Sequence, residues 1–385
     1  MISPVVVVFL LGLNLRPAVT SLGTALPDIA AAPGMTDATA AILVALPLWA
    51  SGIGALLTPW IRGGTRCALG VLVVALVARV LGGPALLLIG TALACVAIAM
   101  IGTVLPVLVR GSRLLGACYT LALGCGSTAG ALITPWVVGH SSWQIALSAW
   151  TLLAVLALVC WRRQDGPPAA VDRISPFALR RSGPAWALTV YFGLVSTVTF
   201  LVMGWLPAIL RAAGLSADAA GACLGLSMAM GLPMMWLVPM WAPRRPRRVL
   251  AVVVAPSIAG VAGLLLAAAT LPWLWSACLG VGMGGVALAL TNIPLRANGD
   301  QAVTAALSSM VQGGGYVIAG VGTLACGLVH GMTRSWQASL VMILVVLCGQ
   351  VVAGLPRRNG HVTVAGVGSR RAKGNQFVSV GDDYL

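Results

Sequence analysis

LPDIAAAPGMTDATAA (residues 26–41) and LPAILRAAGLSADAAG (residues 206–221) are one pattern written twice, 180 residues apart. Leu, Pro, Ile, Ala, Gly and Ala coincide, and Thr36 faces Ser216. At the same offset Pro59 in LTPW falls on Pro239 in LVPM. A second echo lies further on, SWQIAL (142–147) against SWQASL (335–340) at an offset of 193, with His140 and His330 just upstream. A few short insertions absorb the drift between the two offsets. Internal repeats decide an architecture before any motif can be trusted, because each repeat is one folding unit. The echoes fall in the same order, so the chain is expected to hold two copies in the same orientation.

Composition says what surrounds those copies. Of 385 residues, 59% are hydrophobic and 8% charged, and the mean hydropathy is +1.00; the solvent for most of this chain is lipid. An α-helix needs about 20 apolar residues to cross ~30 Å of hydrocarbon. Cutting at the polar interruptions gives twelve such spans, at 5–27, 38–60, 67–83, 85–108, 114–138, 143–161, 186–210, 217–241, 249–269, 272–294, 303–329 and 336–355. The expected fold is an all-α membrane protein of twelve transmembrane helices in two parallel-repeat six-helix halves. Its expected parts are residues 1–161, a cytoplasmic linker at 162–185, residues 186–355, and a disordered cytoplasmic tail at 356–385.

The net charge of +15 raises the question of nucleic acid, and the placement of the charges answers it. Alternate connections and the tail hold nineteen Arg and Lys, against two, Arg211 and Arg334, in the opposite connections. The positive-inside bias therefore puts both termini in the cytoplasm. The basic charge reads as topology and lipid-headgroup contact rather than a nucleic-acid footprint. No basic residue precedes the first apolar run, which extends past Arg16 to full spanning length, so a cleaved signal peptide is not expected. The nine cysteines are scattered through the spans without metal or disulfide spacing, and read as small apolar residues.

Parallel six-helix halves joined by a polar linker resemble the architecture of the major facilitator superfamily. In that fold the substrate site lies near the bilayer midplane between the halves, which rock to give alternating access. Candidate residues are therefore polar groups at that depth. All eight acidic residues lie in connections, in the tail or, for Asp28 and Asp218, at the outer edge of a span. No carboxylate stands at mid-membrane depth, which argues against the commonest kind of proton carrier.

Two cations do lie inside. Arg16, near the centre of the first span in LNLRPAVTS (10–21 reads LLGLNLRPAVTS), costs ~2.5–3.5 kcal/mol on insertion scales and can hardly snorkel from there. It either packs against carbonyls or faces a cavity as the cation for an anionic or polar substrate, and its neighbours favour the second. Arg16 and Thr20 are i, i+4 and Asn14 and Ser21 are i, i+7, on adjoining parts of one helix surface. Pro17 lacks an N–H for the Leu13 carbonyl and should kink the helix there. Arg79 is expected to snorkel to the outer headgroups, with a second anion contact as the alternative. Tyr119, Tyr191, Ser196, Trp205, Gln312 and Tyr316 are uncharged candidates for a central cavity, and any buried Tyr among them is as readily satisfied by a helix carbonyl. GVGMGG (280–285) and QGGGYVIAG (312–320) look like phosphate loops, but inside spans they read as close helix contacts. At the repeat offset Arg16 faces Ser196, so the site is expected to be asymmetric.

NLRPAVTS, GTVLPVLVR (102–110), GLVS with WLPAIL (193–210), NIPLRANGD (292–300) and ALSSMVQGGGY (306–316) resemble the cyanate permease and nitroimidazole transporter family of that superfamily, from about residue 10 to residue 355. The resemblance implies a transporter, not an enzyme, that moves a small anionic or polar solute, cyanate-like or nitroimidazole-like, across a bacterial inner membrane. Carried over by position, it points to Asn14, Arg16, Thr20, Ser21, Ser196, Gln312 and Tyr316; the Gln that the family places before the Ser is Val195 here. An exporter of toxic small molecules is the second expectation and a non-transporting membrane sensor a remote third. Intramembrane catalysis would need convergent His or carboxylates, and the three histidines fall in outer loops and the tail. A monomer is expected, with the solute and the bilayer as partners and no cofactor or metal.

Overall fold

The computed structural model describes residues 3–32, 34–35, 37–58, 64–161, 174–355 and 362. The Pro59 echo, Thr36, the linker at 162–173 and the tail apart from Val362 lie outside these residues. Within them the chain is helical: α1 Pro4–Leu13, α2 Pro17–Thr24, α3 Leu26–Ala30, α4 Asp37–Leu57, α5 Gly64–Ala78, α6 Pro84–Leu108, α7 Arg113–His140, α8 Trp143–Ser148 and α9 Trp150–Cys160 form the first half. The second half holds α10 Gly183–Ala212, α11 Ala217–Trp241, α12 Pro246–Ala267, α13 Pro272–Gly282, α14 Gly284–Arg296, α15 Gln301–Thr333 and α16 Trp336–Gly354. Among the described residues ten helical stretches are long and apolar enough to cross a bilayer, and Leu46–Leu57 and Gly64–Ala78 are shorter apolar helices. Counting broken spans once gives the twelve expected crossings.

The repeat is visible in the backbone. Gly34 and Gly214, the aligned glycines of the opening motif, both take left-handed torsions, with φ of 82° and 98°; the reversal after the first and seventh spans needs a residue without a Cβ. Ser142 and Ser335, which open the two SWQ echoes, are both N-caps, accepting from Ile145 N and Gln337 N. A third pair escaped the sequence comparison. Gly111 (φ 80°) before N-cap Ser112 and Gly299 (φ 75°) before N-cap Asp300 turn the chain from α6 into α7 and from α14 into α15.

Two spans differ clearly from expectation. The first span is not one helix but three, broken at 14–16 and again at Ala25. The third ends at Ala78 rather than at residue 83, because Gly82 and Gly83 are poor helix formers and Pro84 already begins α6. The one described residue of the tail, Val362, is buried, and its N–H donates to the Arg296 carbonyl at 2.9 Å.

One contiguous apolar core runs through both halves, and large apolar side chains such as Leu152, Leu266 and Trp136 stand exposed on the outside, where lipid rather than water meets them. With no hydrophobic drive between helices in lipid, close approach relies on small residues. Gly52 of α4 and Gly313 of α15 cross backbone to backbone: a Cβ on either would lie 3.3 or 3.2 Å from the other's carbonyl oxygen. That crossing joins the two halves beside the candidate site.

Candidate functional site

The break in the first span sets the position of Arg16. Pro17 cannot donate to the Leu13 carbonyl, so α1 stops at Leu13 and α2 restarts at Pro17. α7 seats the break with two glycines one turn apart. A Cβ on Gly126 would lie 2.5 Å from Leu13 O, and one on Gly130 would overlap the Thr20 hydroxyl. The carbonyl freed at Leu13 thus turns toward α7. The Arg16 carbonyl accepts from Val19 N and Thr20 N at 3.0 Å and from Thr20 Oγ1 at 3.1 Å. With its backbone held on that side, the Arg16 side chain reaches between the halves, its guanidinium 5.5 Å above the Phe200 ring of α10. An aromatic face is a fitting seat for a weakly hydrated planar cation.

Three cavities lie in series along this seam. A vestibule of about 490 Å³ opens among Arg110, Arg113, Tyr119, Leu290, Pro294 and Asn298, at the turns that carry the arginines between spans. A chamber of about 20 Å³ follows, walled by Arg16, Tyr119, Phe192, Leu290, Gln312 and Tyr316. The next, of about 40 Å³, shares Arg16, Leu123 and Val286 with it and adds Thr128, Thr199 and four methionines. Tyr119 and Leu290, from opposite halves, wall both vestibule and central chamber. Both chambers are small beside the vestibule, so the structure is nearly closed around Arg16 and wide on the Arg-rich side. Among the described residues, none that lines these three cavities is acidic.

Polar contacts across the seam come from α15. Gln312 Nε2 donates to Gly102 O at 3.0 Å and to Ser308 Oγ at 3.0 Å, and Ser308 Oγ donates to Thr103 O at 2.7 Å. Both accepting carbonyls are on α6 of the other half. Arg110 Nη1 donates to Gly299 O at 2.7 Å, tying together the two turns related by the repeat. The Thr120 hydroxyl donates to the Met235 carbonyl, joining α7 to α11.

The structure gathers Arg16, Tyr119, Gln312 and Tyr316 around one chamber, with Phe192 edge-on to Tyr316 at 5.3 Å. Other expected residues lie elsewhere. Asn14 points away: its Nδ2 donates to Leu10 O at 2.8 Å and to Leu153 O of α9 at 3.2 Å, since a buried amide in lipid takes the nearest carbonyls. Thr20 is held against α7, and the Ser21 hydroxyl is buried without a hydrogen-bond partner. Tyr191 packs against Gly354 and Leu250 in the second half. Ser196 is buried on α10 one turn from both Phe192 and Phe200, without lining a chamber. Trp205 clusters with Trp336 and His330, at centroid distances of 5.1 and 5.7 Å.

Arg79 neither snorkels nor reaches a chamber. It is 0% exposed, and its Nη1 and Nη2 donate to Ala18 O at 3.1 Å and Leu147 O at 2.8 Å. Because α5 ends one residue earlier, Arg79 turns inward over Gly90, where a Cβ would clash with it, and it clamps α2 to α8. Arg79→Met should therefore lower stability by about 2–4 kcal/mol and leave the Michaelis constant of the folded fraction unchanged. Thermal unfolding in detergent and transport kinetics check this; unaltered stability with a shifted Michaelis constant would put Arg79 in the binding surface.

Sequence reasoning missed Phe192, Phe200, Ser51 and the methionines. MAMGLPMM (228–235) was the available signal, a methionine density unusual even in a chain with 13 of them. Phe200, an aromatic in a largely apolar membrane helix, carried none.

Comparison with known proteins follows the same line. The Major Facilitator Superfamily pattern matches residues 7–323. The chain is 31% identical over 347 residues to the cyanate transport protein CynX of Escherichia coli strain K12, covering 86% of this chain and 90% of that one. It is likewise 31% identical over 370 residues to the 2-nitroimidazole transporter of the same organism, covering 90% and 93%. Among solved structures, the proton:xylose symporter XylE superposes with a TM-score of 0.69 at 13% identity, covering 93% of this chain and 96% of that one.

Proposed function

The chain belongs to the major facilitator superfamily and is a multi-pass membrane transporter of small solutes, not an enzyme, and from that premise we propose that it carries a small anion, held by Arg16, through the seam between its halves. The observation that carries this reading is the Arg16 guanidinium, seated on Phe200 and lining a nearly closed chamber among whose described residues none is acidic. A cation left in a low-dielectric chamber with no acidic wall favours an anionic occupant. The relatives named for cyanate and 2-nitroimidazole support a substrate of that size. Gln312 and Tyr316 complete the chamber from the second half, and Tyr119 with Leu290 separates it from the vestibule. We place the Arg-rich face, the vestibule and both termini on the cytoplasmic side of a bacterial inner membrane, as the positive-inside bias indicates.

Counterflow in proteoliposomes tests the proposal. Vesicles preloaded with cyanate, small carboxylates or nitroimidazoles are given the corresponding labelled compound. Exchange of small anions is expected, with neutral compounds inert. Exchange confined to neutral drug-like compounds would overturn it in favour of an exporter of such molecules, and binding without exchange would indicate a sensor.

A further inference from the structure

The larger of the two chambers at Arg16 has an unusual wall. Met203 comes from α10, Met228 and Met235 stand two turns apart on one face of α11, and Met283 sits at the break between α13 and α14. Two glycines leave room for the sulfur-bearing chains. A Cβ on Gly231 would lie 3.4 Å from Met283 Sδ, and one on Gly124 would lie 3.5 Å from Met235 Cγ. Donors are few: beyond the guanidinium the wall offers Ser127, Thr128 and Thr199, and the Thr199 hydroxyl is already spent on Val195 O at 2.9 Å.

Such a wall cannot replace the water shell of a strongly hydrated anion, whose desolvation needs many donors. It can hold an anion whose charge is diffuse and whose hydration is weak, through dispersion with polarisable thioethers. A cavity of about 40 Å³, beside one of about 20 Å³ that shares Arg16, Leu123 and Val286 with it, suits a triatomic ion better than a ring. We propose that the methionine wall makes Arg16 a selective site for small, linear, polarisable anions of the thiocyanate type, preferred over cyanate of the same shape and charge. This rests on the anion reading of Arg16 given above and names the feature that sorts among anions.

Equilibrium binding of labelled thiocyanate to the purified full chain, with Arg16→Ala protein as the blank, tests it. Unlabelled cyanate, thiocyanate and selenocyanate compete, an isosteric series of rising polarisability. The wild type is expected to prefer thiocyanate over cyanate by about tenfold, and selenocyanate at least as strongly. The triple variant Met228→Leu, Met235→Leu, Met283→Leu, nearly neutral in volume, should lose most of that preference, thiocyanate affinity falling further than cyanate affinity. Met228→Leu alone should lose part of it, and carries the test should the triple variant fail to fold. Equal affinities in the wild type, or a preference that survives the leucine substitutions, overturns the proposal and leaves the anion reading standing. Binding of no anion above the Arg16→Ala blank overturns both.

Discussion

Replacing Arg16 with alanine is expected to cut anion uptake by about a hundredfold or more, since charge-assisted hydrogen bonds in a desolvated site contribute roughly 1.5–3 kcal/mol each and a guanidinium makes two. The protein should still reach the membrane. The described tertiary contact of the guanidinium is the Phe200 face, worth about 0.5–2 kcal/mol, while the break that positions Arg16 is held by backbone bonds and by α7. Arg16→Lys keeps the charge but loses the planar fork, and its strongly hydrated ammonium fits poorly over a ring; uptake should recover by no more than about a tenth. Initial rates in proteoliposomes, normalised to protein in the membrane, measure both. Wild-type uptake by the alanine variant would end the proposed role of Arg16.

The second large effect is on assembly. Gly126→Val would place a Cβ 2.5 Å from the Leu13 carbonyl and 3.2 Å from Pro17 Cδ. Neither neighbour is a flexible chain end, so the clash can be relieved only by moving the α1–α2 break away from α7. Overpacking of this kind costs about 1–3 kcal/mol or more, and here it also displaces Arg16. The yield of monodisperse protein in detergent is expected to fall at least about fivefold. Gly139→Val, on the same helix with nothing within 4 Å of its Cβ position, should behave as wild type. Equal yields and melting temperatures for the two variants would show that the α7 glycines do not seat the break.

Much of the architecture was legible because it rests on local rules. Hydropathy placed twelve spans where helices stand, and the repeat aligned Gly34 with Gly214, whose shared left-handed torsion is a property of glycine in a reversal. The breaker in the first span was legible too, because a missing N–H at Pro17 acts whatever the surroundings. The Gly111 and Gly299 pair was readable in principle as glycine followed by an N-cap, and was missed because the flanking residues differ.

Side-chain destinations were a different matter. Asn14, Arg16, Thr20 and Ser21 read as adjoining parts of one helix surface, kinked at Pro17; a full break instead sent Arg16 between the halves and Asn14 toward α9. Arg79 read as a snorkelling residue because its helix was drawn too long, and two carbonyls from α2 and α8 instead hold it fully buried. Gln312 and Tyr316 line one chamber with Arg16, but that Gln312 bonds across to α6 is a fact about another half of the chain.

The sequence by itself determined the solvent, the twelve crossings, the duplication and the presence of a costly cation at mid-depth. Those depend on the transfer of short segments and on residues adjacent in the chain. Only the tertiary structure decided which polar groups share a chamber, that Phe200 seats Arg16 and four methionines wall the neighbouring chamber, and which arginine clamps helices instead. Inside a bilayer a buried polar group must take whichever donor or acceptor packing brings within reach, and packing joins residues separated by most of the chain.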